Sequence, residues 1–355
     1  MTDVTTGSAE PTTSAAEMLD PSLIMQVGMG FWPAKTLLSA VELGLFTTLG
    51  AGALTGPQVA ERLGLRSRAV YDFLDGLLAV GLLERDGMGE GALYRNTPET
   101  ALFLDRNSPA YVGGILEMAN ARLYGFWGGL TDALQTGSPQ NEIKRTGRPM
   151  FEELYSDPAR LEQFMDAMAG ISMGNFRALA DSFDFSGYQT VCDVGGATGQ
   201  LSMTLAERYP HLQCISCDLP VVEPIAARAI ERAGLSDRVK TASRDFFAEP
   251  LPSADVITMG LILHDWNLER KLQLIRAAFE ALPVGGAFIV IENLIDDERR
   301  ENVFGLMMSL NMLIEFGDAF DYTGADFRGW CTDAGFRSVE VIPLAGPASA
   351  GVAYK

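Results

Sequence analysis

Apolar residues recur along this chain with two periods, and the change between them marks its organisation. From Pro21 to about Asp105 the spacing is first helical, then briefly two-fold. Phe31 to Leu49 carries apolar residues at helical spacing. Thr55 is placed to cap a second helix that Gly64 ends. Arg66 to Gly81 predicts a third, with Val70, Phe73, Leu74, Leu77 and Leu78 on one face. Leu82-Leu-Glu-Arg and Leu93-Tyr-Arg-Asn flank a glycine-rich run and read as a hairpin. Helix, turn, helix and hairpin predict a winged helix over 17–110. Residues 111–183 are helical again and rich in methionine and aromatic side chains. They predict a helical linker and lid, in which Met168 is a candidate substrate contact because a thioether adapts to irregular surfaces.

From Thr190 short apolar runs alternate with amphipathic ones. Val191–Val194, Leu212–Cys217, Asp255–Leu261 and Ala287–Glu292 read as strands. Leu201–Tyr209, Pro224–Ala233 and Leu268–Leu282 read as helices. The alternation predicts an α/β domain over 184–355, built on a doubly wound, mostly parallel sheet with ligands at the C-terminal strand ends.

Charge narrows the partners. The net charge of −19 repels phosphate backbones. Residues 1–110 hold seven Lys/Arg against thirteen Asp/Glu, and the third helix carries Asp72 and Asp75 where a DNA-reading helix would be basic. The winged helix is therefore expected to have a structural or dimerising role and not to bind nucleic acid. No run approaches the roughly 20 apolar residues of a membrane span. Residues 1–16 lack a basic start and an apolar segment, and read as a disordered tail. Four cysteines make no disulfide framework, which points to a reducing cytoplasm. Cys214 and Cys217 form a CxxC, but in a strand, where residues three apart face opposite sides. With His211 and His264 the only histidines, a site of three or more is excluded, and no metal is expected.

The turn Asp193-Val-Gly-Gly-Ala-Thr-Gly199 joins the first strand of the alternation to its helix. Gly195 and Gly196 permit a tight turn and close approach, and Gly199 lets the helix start near the sheet. A pyrophosphate loop would place Gly at Val194 and would not begin with an acid; Asp193 suits an ammonium. Asp218, ending the next strand, is placed to accept ribose hydroxyls. Asp245 followed by Phe246 can bond an adenine amine and cover its ring. Together these imply an adenosyl amino acid.

With Asp218-Leu-Pro, Asp245-Phe-Phe and His264-Asp-Trp, this turn resembles that of class I S-adenosylmethionine-dependent small-molecule O-methyltransferases of plants and antibiotic-producing bacteria, over almost the whole chain. The resemblance implies a Rossmann-like catalytic domain behind a winged-helix dimerisation domain, a homodimer, S-adenosyl-L-methionine as methyl donor and S-adenosyl-L-homocysteine as product. It adds Leu219 and Trp266 to the cofactor contacts. It makes His264 the general base, supported by Glu292 and by Asp321, which stands where relatives usually carry Glu; Glu315 and Asp318 are nearby rivals. Gly260 replaces a cofactor-contacting Lys, and Ala197 replaces a glycine, tolerable at negative φ. A phenol with pKa near 10 must lose its proton as it attacks, and an imidazole with pKa near 6.5 is suited to take it. Met308, Asn311, Met312 and Phe316 are the candidate substrate contacts, with Arg122 and Arg177 the nearest carboxylate clamps. The expected reaction is methylation of a small phenol at oxygen. Methylation at the ortho carbon is a rival, and a non-catalytic adenosyl-binding regulator is a third reading.

Overall fold

A computed structural model of the chain describes residues 19–148, 154–155 and 157–355. The tail 1–16 lies outside them. The N-terminal part begins with α1 (Ser22–Gly28), α2 (Phe31–Glu42), α3 (Leu45–Gly50), α4 (Gly56–Leu63) and α5 (Ser67–Ala79). The run from Phe31 is two helices and not one, because Gly44 takes a left-handed φ of 71° between α2 and α3. Thr55 caps α4 in a capping box with Gln58, and Gly64 closes it at φ 66°. Val70, Leu74 and Leu77 are buried as the helical face requires, while Phe73 and Leu78 are half-buried. The hairpin is β2 (Leu83–Asp86) with β3 (Leu93–Asn96), joined by β1 (Leu54–Thr55) on the other side of β3. A winged helix results, with its own core around Phe46, Leu74, Leu77 and Tyr94. Helix α1 buries no residue, and Leu23, Ile24, Val27 and Trp32 are exposed.

The C-terminal part holds a seven-stranded sheet in the order β6-β5-β4-β7-β8-β10-β9. Its strands are β4 (Thr190–Val194), β5 (Gln213–Asp218), β6 (Val239–Ser243), β7 (Val256–Gly260), β8 (Ala287–Glu292), β9 (Ser338–Pro343) and β10 (Ser349–Tyr354). β4 to β8 are parallel, and β10 runs antiparallel to both β8 and β9. Alternate side chains feed two cores on the two faces. Cys214 enters one and Cys217 the other, so the CxxC is not a pair. From β4 the chain winds outward through β5 to β6, then returns beside β4 as β7. The crevice at the C-terminal ends of β4 and β7 is thus the topological switch point, where open α/β sheets bind ligands. Among the described residues no helix is long and apolar enough to cross a membrane.

Candidate active site

The turn after β4 is built from backbone. Gly195 and Gly196 donate their N–H groups to the Cys217 carbonyl at 2.8 and 3.2 Å, closing the turn onto β5. Gly195 has φ 73°, and a Cβ on it would lie 2.2 Å from Ile262 Cδ1. A Cβ on Gly196 would lie 2.4 Å from Ser216 Oγ. Ala197 differs from expectation: its φ is +49°, and its N–H donates to Asp218 at 2.9 Å. That hydrogen bond offsets a left-handed conformation costing an Ala roughly 1 kcal/mol. Asp218 also accepts from the Leu219 N–H at 2.7 Å. Burial raises its pKa against the pull of those two donors. Asp193 is buried, accepts from the Thr258 hydroxyl at 2.7 Å, and is pushed up to about 7 by burial, with Asp218 adding to the rise. Asp245 is exposed and caps its own turn through the Phe247 N–H. Phe246, Phe247 and Trp266 stack edge to face, with Trp266 6.2 Å from Phe246 and 4.6 Å from Phe247 between ring centroids.

The second half of the site is built from side chains. After β7, Leu261 adopts φ 54° and turns the chain into a short 3-10 segment, Leu263–Asp265. Ile262 of this bend fills the space above Gly195, so the segment carrying His264 packs directly on the glycine turn. The Leu263 N–H donates to Glu292 at the end of β8, fixing the bend to the sheet. His264 is buried with a carboxylate at each nitrogen: Asp321 Oδ1 is 3.4 Å from Nδ1, and Asp265 Oδ1 is 3.3 Å from Nε2. The Nδ1 contact is an ion pair too long to be a full hydrogen bond, and among the described residues both Asp321 oxygens and Glu292 Oε2 lack hydrogen-bond partners. One ligand atom each of His264, Glu292 and Asp321 lie within 4.8 Å of one another.

This imidazole is therefore not an ordinary one. Burial alone would lower its pKa, but Asp265, Glu292 and Asp321 together raise it to about 10. Burial in turn raises Glu292 to about 7 and Asp265 to about 6. Of the rival acids, Glu315 is committed to Arg122 (3.0 Å) and Asn141 (3.1 Å), and Asp318 to Asn267 (2.8 Å). Asp321 alone of the three reaches His264. Sequence reasoning gave no role to Asp265, although it adjoins the histidine.

The proposed substrate contacts fall into place unevenly. Met308, Met312 and Phe316 lie on the helix Val303–Phe316, Met312 buried and the other two half-buried. This helix packs against the His264 segment. Asn311, on the same helix, accepts from Trp127 Nε1 at 2.9 Å. Met168 is half-buried on the helix Pro158–Ser182. Arg122 is no clamp for a ligand: it grips Glu142 at 2.6 and 2.7 Å as well as Glu315. Arg177 is exposed. Gly260 faces Phe176 and Ile291, so apolar carbon surrounds the position where relatives carry a Lys.

Residues 127–337 match the model of the O-methyltransferase domain, and residues 25–106 that of the O-methyltransferase dimerisation domain. The tetracenomycin polyketide synthesis 8-O-methyl transferase of Streptomyces glaucescens is 39% identical over 94% of this chain and 97% of its own length. The N,N-dimethyltransferase OxyT of Streptomyces rimosus is 36% identical over 92% and 93%. Human N-acetylserotonin methyltransferase, solved with S-adenosylmethionine, superposes with a TM-score of 0.87 at 28% identity, covering 96% of this chain and 99% of that one. The site fits that cofactor on its own terms. Asp218 ends one strand beside the glycine turn, Phe246 and Trp266 pack edge to face, and Trp266 offers a buried indole N–H that lacks a partner among the described residues.

Proposed function

This chain belongs to the S-adenosylmethionine-dependent O-methyltransferase family, and from that premise we propose that it methylates a phenolic oxygen of a small aromatic substrate with His264 as general base. One observation carries the reading: Ile262 seats the His264 segment on the Gly195 turn, so the proton acceptor and the nucleoside turn share one wall. S-adenosylmethionine supplies an electrophilic sulfonium methyl. In this reading Asp218 holds the ribose hydroxyls, Asp193 faces the ammonium end, and Phe246, Leu219 and Trp266 line the adenine with Asp245 at its rim. Met308, Met312 and Phe316 on the helix Val303–Phe316, with Met168, are assigned to the aromatic ring in this reading, and the Asn311 amide to a polar group on it.

His264 takes the phenolic proton. In the isolated protein its acid neighbours hold it as imidazolium. It becomes the neutral acceptor by giving up that proton to solvent as a cation enters the site, since like charge disfavours the protonated form. Asp321 and Glu292 then stabilise the imidazolium that proton transfer regenerates. Reading the same three residues as ligands of a metal would remove the acceptor the phenol needs. In this reading two copies pair through the exposed apolar side of α1 and α2, and the pairing of Arg85 with Asp75 and of Arg95 with Glu84 and Asp86 supports a dimerising over a nucleic-acid-binding role for the wing.

The test is wild-type protein with cofactor against hydroxynaphthoates, catechols and hydroxyindoles, read by mass spectrometry and then NMR. A product one methyl group heavier and bearing an O-methyl signal is expected. A ring-methyl or N-methyl product overturns the choice of atom, and no product from any class overturns the substrate reading.

A further inference from the structure

Lys271 lies on the inward face of the helix Leu268–Ala281, in line with Leu274, Ile275 and Ala278, and it is completely buried. Its ammonium makes no ion pair among the described residues. Nζ donates to the Trp266 carbonyl and stands 3.8 Å from the centre of the Phe320 ring and 5.8 Å from that of Tyr322. These three contacts bracket the base: Trp266 follows His264-Asp265, while Phe320 and Tyr322 flank Asp321, whose carboxylate faces His264 Nδ1. We propose that Lys271 is a positioning residue for methyl transfer, clamping the His264–Trp266 bend to the Phe320–Tyr322 segment so that Asp321 stays against the imidazole.

Chemistry and cost agree with this. A buried cation without an ion-pair partner is expensive, and a Met of similar length would fill the same space without that penalty. The acids facing the ammonium are Asp265 from the 3-10 segment, Glu292 from β8, and Asp318 and Asp321 from the segment after the helix Val303–Phe316. Burial outweighs all four and lowers the lysine to about 8, so it is charged at neutral pH. Phe320 and Tyr322 supply ring faces that hold such a charge. Removing one positive charge from a cluster of coupled groups raises the proton affinity of the cluster as a whole.

The inference rests on the base role given to His264 above, and its test separates the two. Lys271→Met and Lys271→Gln, the second keeping a donor for the Trp266 carbonyl, are compared with wild type by amide hydrogen exchange, thermal unfolding and the pH dependence of turnover. In Lys271→Met, peptides covering 262–266 and 318–323 should exchange about tenfold faster while β4 to β8 keep their protection. Melting at pH 7 should be no lower than wild type. Turnover of an acceptor found in the panel should fall at least tenfold, with the acid limb of kcat/KM moved to higher pH. Lys271→Gln should restore protection at 262–266 but not the limb. Unchanged exchange at both segments in Lys271→Met overturns the clamp whatever the turnover. A lowered melting point with an unmoved acid limb assigns Lys271 to packing alone. If wild type itself transfers no methyl group, the base reading falls, and exchange still decides the clamp.

Discussion

The glycine turn and the His264 cluster meet at the same strand ends, yet they are specified differently. The turn is one continuous stretch. Its shape is set by backbone hydrogen bonds to Cys217 and by positions where a Cβ has no room, so each requirement is written locally as a glycine. The His264 cluster draws His264 from the end of β7, Glu292 from β8 and Asp321 from a segment beyond the helix Val303–Phe316. Nothing in any one of those segments demands the other two. A backbone-built site tolerates few substitutions but is readable from spacing; a side-chain-built site is tunable by single changes, such as Asp at 321, and becomes readable only once the sheet order is known.

If this contrast holds, changes in the two regions should separate chemistry from binding. The largest effect belongs to His264→Ala. Turnover should fall on the order of 10²- to 10⁴-fold, while calorimetric affinity for S-adenosylhomocysteine stays within about twofold. Loss of both together would merge the two regions into one. Asp321→Asn comes next, removing one of the negative charges that favour the imidazolium, with turnover falling roughly tenfold. Steady-state kinetics should place that loss in kcat, with the KM for cofactor unmoved. Gly195→Ala should do the reverse. Its Cβ would collide with Ile262 at a φ of 73°, costing about 1–3 kcal/mol of stability by chemical denaturation and weakening S-adenosylhomocysteine.

Much of this organisation was legible from sequence. The capping box at Thr55, the glycine stop at Gly64 and the strands from β4 to β8 follow from local pattern, with the exception of β6, whose Val239–Ser243 is only half apolar. β9 and β10 were not anticipated, because Ser338–Pro343 is an edge strand with mostly exposed positions and its pairing with β10 is a tertiary choice. The helix from Phe31 ran on through Gly44 in the hydrophobic pattern, since periodicity does not register a single left-handed residue. Asp265 was passed over because adjacency to a histidine does not say which way a carboxylate turns. Lys271 did leave a signal: a lysine occupies an apolar stripe at i, i+3, i+4 and i+7 with Leu274, Ile275 and Ala278. The pairing of Arg122 with Glu142 and Glu315 leaves no local signal in the sequence, because the two acids lie 20 and 193 residues away.

Two smaller effects sharpen the comparison through stability. Asp193 at about 7, Glu292 at about 7 and Asp265 at about 6 all bind protons more tightly folded than unfolded. Their contribution is complete near pH 4 and lost as pH rises through 6 to 7. That of His264 is complete below about 6.5 and lost towards about 10. The ligand-free protein should therefore melt at falling temperature from pH 5 to pH 9. Asp193→Asn should melt a few degrees above wild type at pH 8, with the gap closing at pH 4–5, and should bind cofactor less well. Ala197→Gly should be the mildest change. It relieves the left-handed strain at the expense of chain entropy, a net shift under about 1 kcal/mol by denaturant titration.

The proposed mechanism turns on His264 being held protonated by Asp265, Glu292 and Asp321 until a cation arrives. Calorimetric titration at pH 8 in two buffers of different ionisation enthalpy counts the protons released on binding. Cationic S-adenosylmethionine should release roughly one proton, neutral S-adenosylhomocysteine clearly fewer, and His264→Ala should abolish the difference. Equal release with both ligands in wild type would contradict the account.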